Sequence, residues 1–301
     1  MKKSLILINE RSGALSAIGA AQCLDALTQV ITGSYEVEIA SGDPSRLVDA
    51  ARAALSSNTI ENIYLAGGDG TCAAVSGVLA GSNIALTPLP GGTMNAFARD
   101  LGYDADLLTA ISQVSTARER LIDIAFIGEY AFLNNIVFGA YTAVAESREH
   151  LREADGVGEI LESVAEIAGT LVHVDKERYK IIIDDETRQI QTNTIMIANN
   201  VYDGADQLRP TRTLLDQGLL GCYVANSTSA IDFVTVLIEA VTGKIAESEL
   251  IAFSACKACK IDCESGILAV SIDGEAVELA SPVDIRIAPG ALRVLAPVAA
   301  A

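Results

Sequence analysis

Four apolar runs, at residues 4–8, 35–40, 62–66 and 84–89, alternate with three longer stretches, 17–30, 44–56 and 71–79, whose apolar residues recur at helical spacing. A strand followed by a helix and then another strand comes back to the same sheet in parallel, with helices covering the faces. The predicted fold class of this part is therefore α/β, with a parallel, doubly wound sheet. Pro44 suits the first turn of its helix, where no N–H is missed, and Thr71 suits a helix cap. A further helix is expected over 93–101.

After residue 120 the pattern changes to short alternating strands, at 121–127, 131–137, 178–183, 194–198, 219–225 and 268–272. Asp184-Asp185 and Asp273-Gly274 read as tight turns between them. Three helical stretches, 142–152, 157–171 and 230–242, interrupt the strands. This second part is expected to be a mostly antiparallel β-sandwich. The run 291–295 reads as a strand returning to the first part, so the expected domains are 1–120, rejoined by 291–301, and 121–290. A chain of 301 residues, half of them apolar, can fill two such cores.

The formal charge of -18 excludes a nucleic-acid binder, because phosphate backbones are held by clustered Lys and Arg and the longest basic run is Lys2-Lys3. It equally opposes a standing attraction to anionic membranes. The apolar run after Lys3 ends at Asn9-Glu10-Arg11, too soon for a signal peptide, and reads as the first strand of a cytoplasmic protein. No uncharged apolar stretch reaches the ~18 residues of a spanning helix, since Asp232 and Glu239 break the greasiest segment. Of six cysteines, Cys256-x-x-Cys259-x-x-x-Cys263 has a spacing that could share a metal ion. Alternation through 253–262 and the lack of a nearby His or fourth Cys favour plain strand instead.

The loop Gly67-Gly68-Asp69-Gly70-Thr71 leaves the third strand and opens a helix, where backbone amides can meet an anion. Asp69 puts a carboxylate among them, which suits a divalent cation or an acceptor hydroxyl; a plain tight turn is the other reading. No GxxxxGK[ST] P-loop occurs. Gly68-x-Gly70-x-x-Ala73 imitates the dinucleotide pattern but follows the third strand, and Pro90-Gly91 stands where an acid is needed, so hydride transfer is rejected. A second loop, Pro88-Leu89-Pro90-Gly91-Gly92-Thr93-Met94-Asn95, and a third, Asn9-Glu10-Arg11-Ser12-Gly13, also follow strands and lead into helices. Three strand ends can thus converge on one nucleotide.

In their order and spacing, Asn9-x-x-Ser12-Gly13, Gly67-Gly68-Asp69-Gly70-Thr71, Gly92-Thr93-x-Asn95-x-Phe97-Ala98-Arg99 and Asp273-Gly274-Glu275 resemble the diacylglycerol kinase catalytic family. That family includes soluble bacterial lipid kinases and the sphingosine and ceramide kinases. The resemblance covers nearly the whole chain and implies an NAD-kinase-like α/β domain plus a β-sandwich, with MgATP in the cleft. It implies that Asn9, Ser12, Gly13, Ser41, Gly67, Gly68, Gly70, Thr71, Gly92, Thr93 and Asn95 bind ATP. Asp69 would act near the transferred phosphoryl group and its metal, Glu275 would accept the proton, and Asp273 would assist.

Two departures stand out. The family's loop commonly reads Gly-Thr-x-Asn-Asp, whereas Ala96 replaces the second acid here and resembles the sphingoid-type branch. Leu215-Asp216-Gln217-Gly218 stands where the family carries Asp-Asp-Gly, leaving Asp216 as the candidate ligand of a structural Mg²⁺. Asn199-Asn200 and 204–210 resemble the cleft-lining segment. The resemblance implies a Mg-ATP-dependent lipid kinase that phosphorylates a hydroxyl of a lipid extracted from a membrane by transient peripheral contact. Residues 132–144 and 157–171 are the candidate lipid face, His150 and His173 have no partner pattern, and a homodimer is compatible with the sequence. The alternatives are an NAD kinase and a catalytically weakened nucleotide- or lipid-binding protein.

Overall fold

The computed structural model describes residues 3–31, 33–40, 44–139, 176–206, 209–226, 232, 235 and 248–298. They fall into two units, Met1–Ile124 with Ala288–Ala301, and Ala125–Ile287. The helical stretches expected at 142–152 and 157–171 lie outside the described residues, as does 230–242 apart from Asp232 and Thr235. No helix among the described residues is long and apolar enough to cross a membrane.

The first unit runs β1 (Lys3–Asn9), α1 (Gly13–Ile18), α2 (Ala20–Val30), β2 (Ser34–Ala40), α3 (Ser45–Ser57), β3 (Ile60–Gly67), α4 (Asp69–Leu79), β4 (Ala85–Pro90), α5 (Ala96–Asp100) and α6 (Leu107–Gln113). Its sheet has the order β2-β1-β3-β4, with every neighbour parallel. Consecutive Ile6, Leu7 and Ile8 are each fully buried. Successive strand residues point to opposite faces, so both faces of β1 are covered, as a parallel sheet requires.

Three helix boundaries differ from the sequence reading. The helix expected over 17–30 is two helices, because Gly19 between them has a φ of 85° and cannot continue the coil. α4 begins at Asp69 with Gly68 as its cap, which puts Thr71 inside the first turn rather than at the cap. The helix expected over 93–101 shortens to α5 because Asn95 takes a left-handed φ of 49° and folds back on Gly92. Its Oδ1 accepts from Gly92 N at 2.8 Å and its Nδ2 donates to Gly92 O at 2.8 Å.

The second unit begins with the end of β5 (Arg118–Ile127), followed by β6 (Tyr130–Phe132), β7 (Asn135–Gly139), β8 (Glu177–Ile183), β9 (Glu186–Thr192) and β10 (Thr194–Asn199). A short ribbon, β11 (Gly204–Asp206) and β12 (Arg209–Thr211), precedes β13 (Leu220–Ala225), β14 (Ile251–Cys256), β15 (Ala258–Cys263), β16 (Ile267–Ile272), β17 (Glu275–Ala280) and β18 (Val283–Ala296). Six strands form an antiparallel sheet in the order β14-β13-β10-β7-β16-β17. The start of β18 pairs with β15, β15 with β8 and β8 with β9, again antiparallel. Ile195, Ile197, Leu220 and Cys222 of one sheet share a core with Tyr179, Ile181, Cys259 and Ile261 of the other, which makes a sandwich. The end of β18 belongs to the first unit, where Val294 pairs in parallel with Leu86 of β4.

The C-terminal ends of β3 and β4 lie backbone to backbone. Gly91 N donates to Gly67 O at 3.0 Å, and Gly91 O accepts from Ala14 N at 2.9 Å, so the loops after β1, β3 and β4 are tied in one row. A Cβ on Gly91 would lie 2.6 Å from Gly67 N, and one on Gly92 would lie 2.6 Å from Gly68 Cα. Main chain on both sides of such a contact has no flexible atom to yield.

Gly91→Ala should destabilise the chain in urea unfolding by about 1–3 kcal/mol through overpacking. Gly13→Ala, whose Cβ would sit at 3.4 Å from Thr93 Oγ1, should cost less; equal stabilities would contradict the close approach. All six cysteines are free and buried, and burial pushes Cys23 up to about 11 and Cys222 up to about 12. Because the thiolate is the reactive form, a disulfide reagent at about pH 8 should label Cys23 and Cys222 slowly in the native chain and at once in the urea-unfolded chain.

Candidate functional site

In an open parallel sheet the ligand crevice lies at the carboxyl ends of the strands, and here three loops meet at that edge. Asn9 closes β1 and is buried. Its Nδ2 donates to Thr71 Oγ1 at 3.0 Å, its Oδ1 accepts from Arg11 N at 3.2 Å, and its O accepts from Ser12 N at 3.0 Å. One side chain thereby ties the first loop to the start of α4. Ser12 is buried, while Gly13 opens α1 beside the exposed Thr93. The structure thus gathers Asn9, Ser12, Gly13, the loop from Gly67 through Gly70 to Thr71, and Gly92, Thr93 and Asn95. Ser41 lies outside the described residues.

Asp69 joins the second loop to the third. Its Oδ2 accepts from Ala96 N and its Oδ1 from Phe97 N, both at 3.2 Å, so it caps α5 across the sheet edge. The backbone of Ala96 thus remains useful although its side chain brings no acid. Each carboxylate oxygen keeps a further acceptor position, and the residue is half-buried. An oxygen donor of this kind fits a magnesium ion or its bound water. Gly67 and Gly68 need no glycine for the fold itself. Gly68 has a φ of -85°, and added Cβ atoms would find neighbours no nearer than 3.5 Å at Gly67 and 3.6 Å at Gly68.

In the second unit, Asp273 and Gly274 have φ of 46° and 97°, the two positive values of a type I′ hairpin turn. The Asp273 carboxylate accepts from Leu133 N at 2.7 Å, Asn134 N at 2.8 Å and Asn135 N at 3.0 Å. These bonds break the strand expected over 131–137 into β6 and β7 and occupy Asp273 structurally. Glu275, the first residue of β17, is exposed and offers the free carboxylate of this hairpin.

Asp216 is exposed, and the neighbouring Gln217 works as an amide: its Oε1 accepts from Val201 N and its N donates to Asn200 Oδ1, each at 3.0 Å. Among the described residues no three His, Cys, Asp or Glu groups converge on a metal position. A neutral side chain committed to backbone and a single exposed acid do not fit a structural divalent cation. Cys256, Cys259 and Cys263 are buried strand residues.

Sequence reasoning missed Arg212, which is only 2% exposed. Its Nη1 donates to Leu133 O at 2.6 Å and Asn199 O at 2.7 Å, and its Nη2 to Asn134 Oδ1 at 2.8 Å. A single Arg in a polar stretch between turn residues carries no sign of burial.

Comparison with known proteins agrees with this architecture. Residues 3–127 match the diacylglycerol kinase catalytic domain, and residues 136–296, more than half of the chain, match the YegS C-terminal NAD kinase beta sandwich-like domain. Proteins named "Putative lipid kinase" from Staphylococcus aureus strains Mu3 and Newman are each 26% identical over 255 residues, covering 78% of this chain and 77% of theirs. Among solved structures, a diacylglycerol kinase from Bacillus anthracis str. Sterne is 21% identical with a TM-score of 0.69, covering 98% of this chain and 97% of that one. Another from the same organism, titled "A putative diacylglycerol kinase", is 21% identical at 0.76 over the same shares. At that identity the structures speak for the fold alone. The matched domains, which follow one another over nearly the whole chain, place it in the diacylglycerol kinase catalytic-domain family, in the form that carries an NAD kinase-like β-sandwich.

Proposed function

We propose that this chain is an ATP-dependent lipid kinase that transfers the γ-phosphoryl group to a hydroxyl of a lipid of the diacylglycerol or sphingoid type. The observation that carries this reading is the pair Gly67-Gly68, glycines that neither backbone conformation nor internal packing requires. A backbone with no side chain in the way, at the N-terminus of an 11-residue helix, lets phosphate approach the first-turn amides, which have no partner within the helix. Membership of the family supports a lipid as acceptor.

Phosphoryl transfer asks the protein chiefly for positioning and charge stabilisation. Asn9, Ser12 and Thr71 hold the first two loops around the nucleotide, and Gly92, Thr93 and Asn95 form its third wall. Asp69 would hold a magnesium ion brought in with ATP, which would supply charge neutralisation at the phosphate oxygens. Asp69 orients that end of the substrate while keeping α5 in place. The acceptor hydroxyl oxygen bonds to the γ-phosphorus as the β–γ bridging bond breaks, ADP leaves with the electron pair, and the hydroxyl proton passes to Glu275. Asp273, held by three amides, shapes the turn rather than taking the proton. With a net charge of -18, the protein reaches its lipid by brief peripheral contact.

The test is a transfer assay with radiolabelled ATP in which diacylglycerol, sphingosine, ceramide, phosphatidylglycerol and NAD are offered side by side. Label should enter a lipid, with ADP formed. Label in NAD alone would overturn the lipid reading, and ATP binding without transfer to any acceptor would mark a protein that has lost its chemistry. Glu275→Gln should lower kcat by about 100-fold or more, the scale of a lost general base. Asp69→Asn, which keeps one acceptor for the α5 cap, should lower kcat comparably with thermal unfolding little changed.

A further inference from the structure

The segment 133–135 between β6 and β7 is gripped from two sides. Asp273 takes its three N–H groups, and Arg212 takes the Leu133 carbonyl and Asn134 Oδ1 together with the Asn199 carbonyl at the end of β10. Three carbonyl-type oxygens within 2.6–2.8 Å of a buried cation are the kind of ligand set that a hard divalent ion collects. A guanidinium can take them only because its planar fork reaches several acceptors at once; an ammonium presents a compact point charge.

The surroundings are built to keep it there. The guanidinium carbon lies 5.7 Å from the centre of the Tyr202 ring, whose Oη accepts from Asn135 Nδ2 at 2.8 Å. Tyr202 N donates to Tyr223 Oη at 3.0 Å, and the two residues before Tyr202 are tied to Gln217. Gln217 adds no charge and Asp216 faces solvent, whereas Arg212 brings a buried positive charge.

We propose that Arg212 is the resident cation of the second unit, a positioning residue that fixes 133–135, and through Asp273 the turn bearing Glu275, so that this scaffold needs no divalent metal. The part of the claim that concerns turnover rests on Glu275 being the proton acceptor.

Thermal unfolding of the purified chain should give the same midpoint in EDTA as in millimolar Mg²⁺. Arg212→Met should lower that midpoint, speed hydrogen exchange at the amides of Leu133, Asn134 and Asn135, and lower kcat by roughly tenfold or more through misplacement of the base. KM for ATP should move less than about twofold, since uniform binding is untouched. Arg212→Lys should recover part of the midpoint and part of kcat. Should Arg212→Met fail to fold, Asn134→Ala removes one oxygen and leaves the cation, and should shift exchange and kcat in the same direction. A midpoint that falls in EDTA, or an Arg212→Met protein with wild-type midpoint, exchange and kcat, would overturn the proposal. If Glu275→Gln turns over at the wild-type rate, the base assignment fails, while the unfolding and exchange measurements still judge Arg212.

Discussion

The backbone of Gly91 lies against that of Gly67, with an N–H···O bond of 3.0 Å and no room for a Cβ. This contact turns two separate strand ends into one surface. Without it, α5 would not begin where the Asp69 carboxylate can take the amides of Ala96 and Phe97, and the third loop would not face the first turn of α4. Asn9 repeats the device on the other side by reaching Thr71. The parallel sheet provides rigid strands of matched length, but side-chain-to-backbone bonds and glycines with no room to spare assemble its three loops. Asp69 therefore has two occupations, as cap and as candidate catalytic group. Replacing it by Ala would confound them, which is why Asn is the informative substitution.

The second unit solves a similar problem with buried charge. Asp273 and Arg212 hold the N–H and C=O sides of the same short segment, so a connection between β6 and β7 that could have frayed is satisfied in both senses. Arg212 is buried, so taking away the oxygens that answer it would leave a buried charge unanswered, which is costly. Both are best regarded as a single structural element, with Glu275 left exposed beside it.

Much of the first unit was legible in its sequence because parallel strands covered on both faces read as continuous apolar runs; Ile6-Leu7-Ile8 and Ile63-Tyr64-Leu65-Ala66 are buried throughout. Helix starts were less legible. Thr71 has the chemistry of a cap, yet Gly68 takes that place because it is the single residue between the end of β3 and the start of α4. Asn95 ends the third loop by a left-handed backbone that local periodicity does not reveal. In the second unit, 131–137 looked like one strand because the group that interrupts it, Asp273, is far away in the chain. β9 went unrecognised because it is polar and almost wholly exposed, with only Thr192 buried. Arg212 was invisible for the reverse reason, being a charged residue in a polar stretch whose burial depends on carbonyls from two other strand ends.

Nucleotide phosphate should bind at the three-loop edge of the first unit, and hydrogen exchange with and without MgATP measures that directly. Protection should appear in the segments 67–72 and 91–97 and at Ser12 and Gly13, while the exposed strand β9 should exchange unchanged. Binding of MgATP that leaves 67–72 and 91–97 exchanging as in the free protein would contradict it.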